Sequence, residues 1–156
     1  MKKAVAYFSA GGRTALLAKK LAEVTDSDLF EIKPEVPYTK KDLNWMNPVA
    51  RCNKEKFGNK DVQIAERLAS FDEYGFFYIG FPIWYYGAPN IIETFLKSYD
   101  FSGKKIALFA TSGGSDIGKT AEKLKPFLSA DTLITAAKVF PADADTQTLE
   151  NWALSE

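Results

Sequence analysis

Two hydrophobic periods alternate along the chain. Short runs rich in apolar residues fall at Ala4–Phe8, Leu29–Ile32, Gly75–Phe81, Lys105–Ala110 and Leu133–Phe140. Short runs of this kind predict strands, and Gly75–Phe81 a buried one. Between them the spacing changes to that of helices. Arg13–Val24 sets Leu17, Ala18, Leu21 and Val24 on one face, Asp61–Phe71 sets Ile64, Ala65 and Leu68, and Pro89–Tyr99 sets Ile91, Ile92, Phe95, Leu96 and Tyr99. Pro89 stands at a helix start, where its missing N–H costs least. Ser115–Lys125 predicts a further helix that ends or kinks at Pro126, and Thr146–Ala153 a last short one.

Strands alternating with helices imply crossover connections and a parallel sheet. Five strands and about five helices in one domain suit a doubly wound five-stranded α/β sheet of order 2-1-3-4-5, helices on both faces in a three-layer sandwich. The chain's 156 residues suit a single domain, residues 1–156. One segment breaks the rhythm. Residues 34–60 are too long for an ordinary strand-to-helix loop. They hold Pro37, Tyr38, Trp45, Pro48, Arg51 and Phe57, which argue for a packed excursion. It covers either a functional site or a sheet edge.

Composition narrows the chemistry. There is no histidine, which excludes histidine acid–base catalysis, histidine metal sites and Ser-His-Asp triads within the chain. The single cysteine, Cys52, cannot form an intrachain disulfide. No apolar run reaches the roughly 18–20 residues of a membrane span, and the apolar start after Lys2-Lys3 is too short for a signal peptide. A cytoplasmic protein is expected. Net charge is zero, so no nucleic-acid partner is implied, although residues 1–60 are basic and the remainder acidic.

Three loops carry candidate chemistry, and the expected topology brings all three to the carboxyl edge of the sheet, where open α/β sheets bind ligands. The first is Ser9-Ala10-Gly11-Gly12-Arg13-Thr14. Its glycines allow a tight fold with amides turned inward, the following helix adds free donors and partial positive charge, and Arg13 adds a full one. It suits a phosphate, or else is a capping turn. Its spacing fits neither a P-loop nor the dinucleotide fingerprint. The second is Pro82-Ile83-Trp84-Tyr85-Tyr86-Gly87-Ala88-Pro89, which leaves a buried strand at Pro82. Its aromatics form a platform for a flat ring or belong to the core. The third, Thr111-Ser112-Gly113-Gly114-Ser115-Asp116-Ile117-Gly118, permits close backbone approach to a flat ligand through its paired glycines, or is a flexible loop capping a helix with Ser115 or Asp116 at the N-cap.

In combination these motifs resemble the flavodoxin family over nearly the full length. Tyr7–Thr14 is similar to that family's phosphate loop, and Gly80–Pro89 to the isoalloxazine loop of its short, flavodoxin-like branch. Asp100–Lys105 and Thr111–Gly114 match the same branch. Gly11 stands where the family usually has threonine, and Arg13 where it usually has asparagine. The third loop lacks the aromatic that many flavodoxins stack on the outer flavin face. The resemblance implies noncovalent FMN, held by Ser9, Ala10, Gly11, Gly12, Arg13, Thr14, Pro82, Ile83, Trp84, Tyr85, Gly87, Thr111, Ser112, Gly113 and Gly114, with no catalytic side chain and no metal. Either Trp84 or Tyr85 packs on the ring. Gly87 either supplies the tolerance of positive φ that lets a carbonyl beside the flavin N5 turn or makes room for the Pro89 helix to start.

The function so implied is electron transfer with redox partner proteins, a reductase and an acceptor, or with a small acceptor. A rival is a reductase passing hydride from NAD(P)H through FMN to a quinone. A second is a flavin-free regulatory domain on the same fold. A phosphoacceptor receiver would need acidic residues where Ser9-Ala10 and Phe81-Pro82 stand.

Overall fold

The computed structural model describes residues 2–35, 63–84, 87–112, 117, 119–141 and 143–154. Most of the expected 34–60 excursion, with Tyr38, Trp45 and Cys52, lies outside the described residues. So do Tyr85, Gly113 and Gly114.

Five strands form one parallel sheet: β1 (Lys2–Tyr7), β2 (Asp28–Glu31), β3 (Tyr74–Pro82), β4 (Lys105–Thr111) and β5 (Leu133–Phe140). Their spatial order is β2-β1-β3-β4-β5, as the alternation of periods predicts. The order reverses between β1 and β3, so the loops that follow these two strands diverge to opposite sides of the sheet and leave a crevice between them.

Four helices cover the faces among the described residues: α1 (Arg13–Thr25), α2 (Asn90–Ser98), α3 (Thr120–Leu124) and α4 (Thr146–Leu154). Alternation along each strand assigns the layers. Ala4, Ala6 and Phe8 of the β1 region, with Phe77, Ile79 and Phe81 of β3, pack with Ile91, Ile92, Phe95 and Leu96 of α2 and Leu124 of α3. Val5, Tyr7, Tyr78, Ala107 and Phe109 face the other way, onto Leu17 and Leu21 of α1 and Leu149 and Trp152 of α4. The result is a three-layer sandwich.

Gly80 sits in register with Phe109 of the neighbouring strand. A Cβ at Gly80 would fall 2.1 Å from the Phe109 ring, far inside van der Waals contact. Phe109, fully buried, occupies the space that a side chain at 80 would need.

Two expected helices come out differently. Over the described residues 63–70 of the expected Asp61–Phe71 helix there is no helix. The segment pairs instead with the chain after β2: Glu35 N–H donates to the Gln63 carbonyl (2.9 Å) and Ala65 N–H to the Lys33 carbonyl (2.7 Å), around an antiparallel Pro34–Ile64 bridge. Ile64 and Leu68 still pack on the core, so burial accounts for the apolar spacing without a helix. Only one 3₁₀ turn follows, Phe71–Glu73. The expected Ser115–Lys125 helix is regular over Thr120–Leu124 and tightens into a 3₁₀ turn at Lys125–Phe127, because Pro126 cannot donate into an α-helical ladder.

Candidate functional site

The first loop is anchored at its base and open at its tip. Phe8 N–H donates to the Gly80 carbonyl at 2.9 Å, extending the β1–β3 pairing one residue beyond the strand. Ser9 Oγ accepts from Gly12 N–H at 3.1 Å, and this bond leaves the Ser9 hydroxyl proton free to donate elsewhere. Gly12 has φ 88° and ψ −13°, left-handed backbone that side chains with a Cβ rarely adopt. The first closed turn of α1 runs from Leu16 N–H to the Gly12 carbonyl, 3.2 Å. The amides of Arg13, Thr14 and Ala15 precede it and have no acceptor within the helix. No acidic residue stands in that first turn, so the positive end of the helix dipole is not neutralised locally. Arg13 is exposed and lends the loop its full charge. Thr14 is buried, and its hydroxyl lies 2.8 Å from that of Thr111.

The second loop turns sharply after β3. Ile83 N–H donates to the Thr111 carbonyl at 2.9 Å, and Trp84 and Gly87 exchange two backbone bonds of 2.9 and 3.1 Å. This bridge closes a four-residue turn whose central residues, Tyr85 and Tyr86, lie outside the described residues. Trp84 is half-buried, and Phe8 meets its indole at right angles, 5.7 Å between ring centres. Gly87, Ala88 and Pro89 are buried. Pro89 caps α2, and its carbonyl accepts from Ile92 N–H at 3.0 Å.

These segments converge on one cleft of about 200 Å³. Ser9, Ala10, Gly11, Arg13 and Thr14 line it from the first loop, Pro82, Ile83 and Trp84 from the second, and Thr111 and Ser112 from the third. Of the remaining expected site residues that are described, Gly12 lies within the first loop and Gly87 directly across the turn from Trp84. No carboxylate is among the described residues that line the cleft. Its chemistry is hydroxyls, backbone amides and one guanidinium at one end, and an indole at the other. Such a donor set suits an anion joined to a flat ring. The direct link between Thr14 and Thr111 has no signal in the sequence, since the two residues are 97 positions apart.

A second depression of about 450 Å³ lies on the β2 side of the same loop, lined by Phe8, Ser9 and Ala10 together with Glu31, Lys33, Pro34, Glu35 and Ala65. Its walls are the paired 33–35 and 63–65 segments, which helical spacing in 61–71 conceals.

A doubly wound parallel sheet with a donor-rich loop and an aromatic wall at its switch point defines a class of nucleotide-type binding domains. The flavodoxin family model matches residues 2–155, and the chain belongs to that family. Among solved structures it is similar to a candidate flavoprotein from Bacteroides eggerthii, at 36% identity and TM-score 0.92 with 99% of this chain and 96% of that one covered. It is similar also to one from Bacteroides uniformis, at 38% identity and TM-score 0.91 with 98% and 97% covered. A flavoprotein from Lactobacillus acidophilus in complex with FMN shares the fold at 24% identity and TM-score 0.71, with 97% and 98% covered. A comparison with curated proteins gives no match.

Proposed function

We propose that this chain binds FMN noncovalently and passes electrons between redox partners. The observation that carries this reading is the cleft that unites the Ser9–Thr14 loop with Trp84 and has no carboxylate among its described lining residues. The phosphate lies in the loop, held by the amides of the first turn of α1, the hydroxyls of Ser9 and Thr14, and the charge of Arg13. The ring lies beside Trp84 and Ser112, with Gly87 across the turn from Trp84; Tyr85, Gly113 and Gly114 are the further contacts that membership of the family suggests. Bound FMN supplies the redox chemistry. The protein's residues bind, orient and shield it, and no side chain is needed as acid or base. Membership of the flavodoxin family and the FMN complex of the Lactobacillus protein support the choice of flavin. Cytoplasmic reductase and acceptor proteins are the partners this reading calls for.

The test is a titration of FMN and riboflavin by flavin fluorescence, followed by reduction. FMN should bind much more tightly than riboflavin, which lacks the phosphate. The loaded protein should accept electrons from a flavodoxin reductase and oxidise NAD(P)H only slowly by itself. Equal affinity for the two flavins would sink the phosphate assignment. Rapid steady oxidation of NAD(P)H with a quinone would replace the carrier with a reductase.

A further inference from the structure

Thr111 is attached to all three loops of the cleft. It is the last residue of β4 and begins the third loop. Its carbonyl accepts from Ile83 of the second loop (2.9 Å), and its hydroxyl meets that of Thr14 in the first (2.8 Å). Both threonines are buried, with Thr14 1% and Thr111 4% exposed. Among the described residues neither hydroxyl makes another hydrogen bond.

Hydroxyl stoichiometry gives this pair a direction. Two hydroxyls hold two protons, and the bond between them uses one. The other proton is left at the wall of the cleft, where a donor without an acceptor is costly. If Thr14 donates to Thr111, the spare proton is on Thr111, away from the phosphate loop. If Thr111 donates to Thr14, the spare proton is on Thr14 and is available to the loop. An anion among the donors of residues 9–14 favours the second arrangement, and the donated bond polarises the Thr14 hydroxyl.

We propose that Thr111 is a positioning residue for the anion: by donating to Thr14 Oγ1 it aims the Thr14 proton at the phosphate, and so sets the preference for a phosphorylated over an unphosphorylated flavin. This rests on the phosphate reading of the first loop. Without the Thr111 hydroxyl, the Thr14 hydroxyl loses the partner that fixes its rotation, and its proton is no longer aimed at the anion.

The experiment compares FMN and riboflavin affinities of the full chain in wild type, Thr111→Val, Thr111→Ser, Thr14→Val and the Thr14→Val/Thr111→Val double variant. Thr111→Val should lower the preference for FMN over riboflavin roughly ten-fold, the loss of a hydrogen bond to a charged group. Thr111→Ser, which keeps the hydroxyl, should restore the preference. The double variant should match Thr14→Val alone, because Thr111 acts only through Thr14. If Thr111→Val does not fold, Thr111→Cys, of similar size and a weak donor, should lower the FMN preference in the same way. A loss shared equally by both flavins, an additive double variant, or an FMN preference that survives removal of the Thr111 hydroxyl overturns the proposal. A wild type without FMN preference is a different failure: it overturns the phosphate reading itself, and the role of Thr111 with it.

Discussion

Aromatic side chains gather at both ends of β3, and the two gatherings have opposite fates. At the amino end, Phe71 stacks on Tyr99 (4.5 Å) and Phe77 (5.1 Å) and meets Phe101 edge-on (4.9 Å). Phe101 in turn touches Phe77 and Phe95. Two cations close the outer surface, Arg67 over Tyr99 and Lys104 over Phe71. Every ring there has ring neighbours, which is how a core is filled. At the carboxyl end, Trp84 stays half-exposed on the wall of a cleft, with Phe8 edge-on beside it. Pro82 makes the difference. The strand ends at Pro82, and Trp84, two residues on, packs only part of its surface on the core. The same residue types thus serve packing at one end and presentation at the other.

Substitutions can break this contrast. The largest effect belongs to the amino end. Phe101→Ala should lose about 3–5 kcal/mol of stability in urea unfolding, the usual cost of emptying a buried aromatic site, while the protein that remains folded binds FMN as wild type does. A loss of FMN affinity in folded Phe101→Ala would join the two clusters into one. Trp84→Ala should do the reverse. Isothermal titration should show about 1–3 kcal/mol less FMN binding, by analogy with stacked bases, with a smaller change in unfolding midpoint. An unchanged FMN affinity would return Trp84 to the core.

Finer effects test the anion end of the cleft. Gly12→Ala should cost about 1–2 kcal/mol of stability, because φ 88° is left-handed backbone. Arg13→Ala should weaken FMN by about 1 kcal/mol, leave riboflavin unchanged, and show its difference most clearly at low salt. The smallest effect is expected at Gly11, where a Cβ meets nothing within 4 Å. Gly11→Ala should be neutral or slightly stabilising through the unfolded chain. Adjacent glycines that respond alike would mean that the loop backbone differs from the one described.

Much of the fold is legible in the sequence because its signals are local. A strand is a short run rich in apolar residues, and Pro89 and Pro126 punctuate wherever they fall. All five strands and their order follow from such signals. The failure at residues 63–70 has a physical cause: Ile64 and Leu68 are spaced as on a helix, but they reach the core from an extended segment whose backbone bonds go to residues 33–35. Periodicity records which side chains are buried, not where the amides bond. Of the site, the loop residues were legible through their types, and the link between Thr14 and Thr111 was not, because contact across 97 residues leaves no trace in spacing.

The pairing of Gly80 with Phe109 has a consequence for how this sequence can change over time. The two positions share one side chain's worth of space between neighbouring strands, and at present all of it belongs to Phe109. A side chain at 80 drives a Cβ into a fully buried ring, in a core too dense to yield. A smaller residue at 109 only opens a void, which a later side chain at 80 can fill. The two substitutions therefore have a required order: 109 must shrink before 80 can grow. Gly80 is held by its neighbour's ring and not by any need of its own backbone.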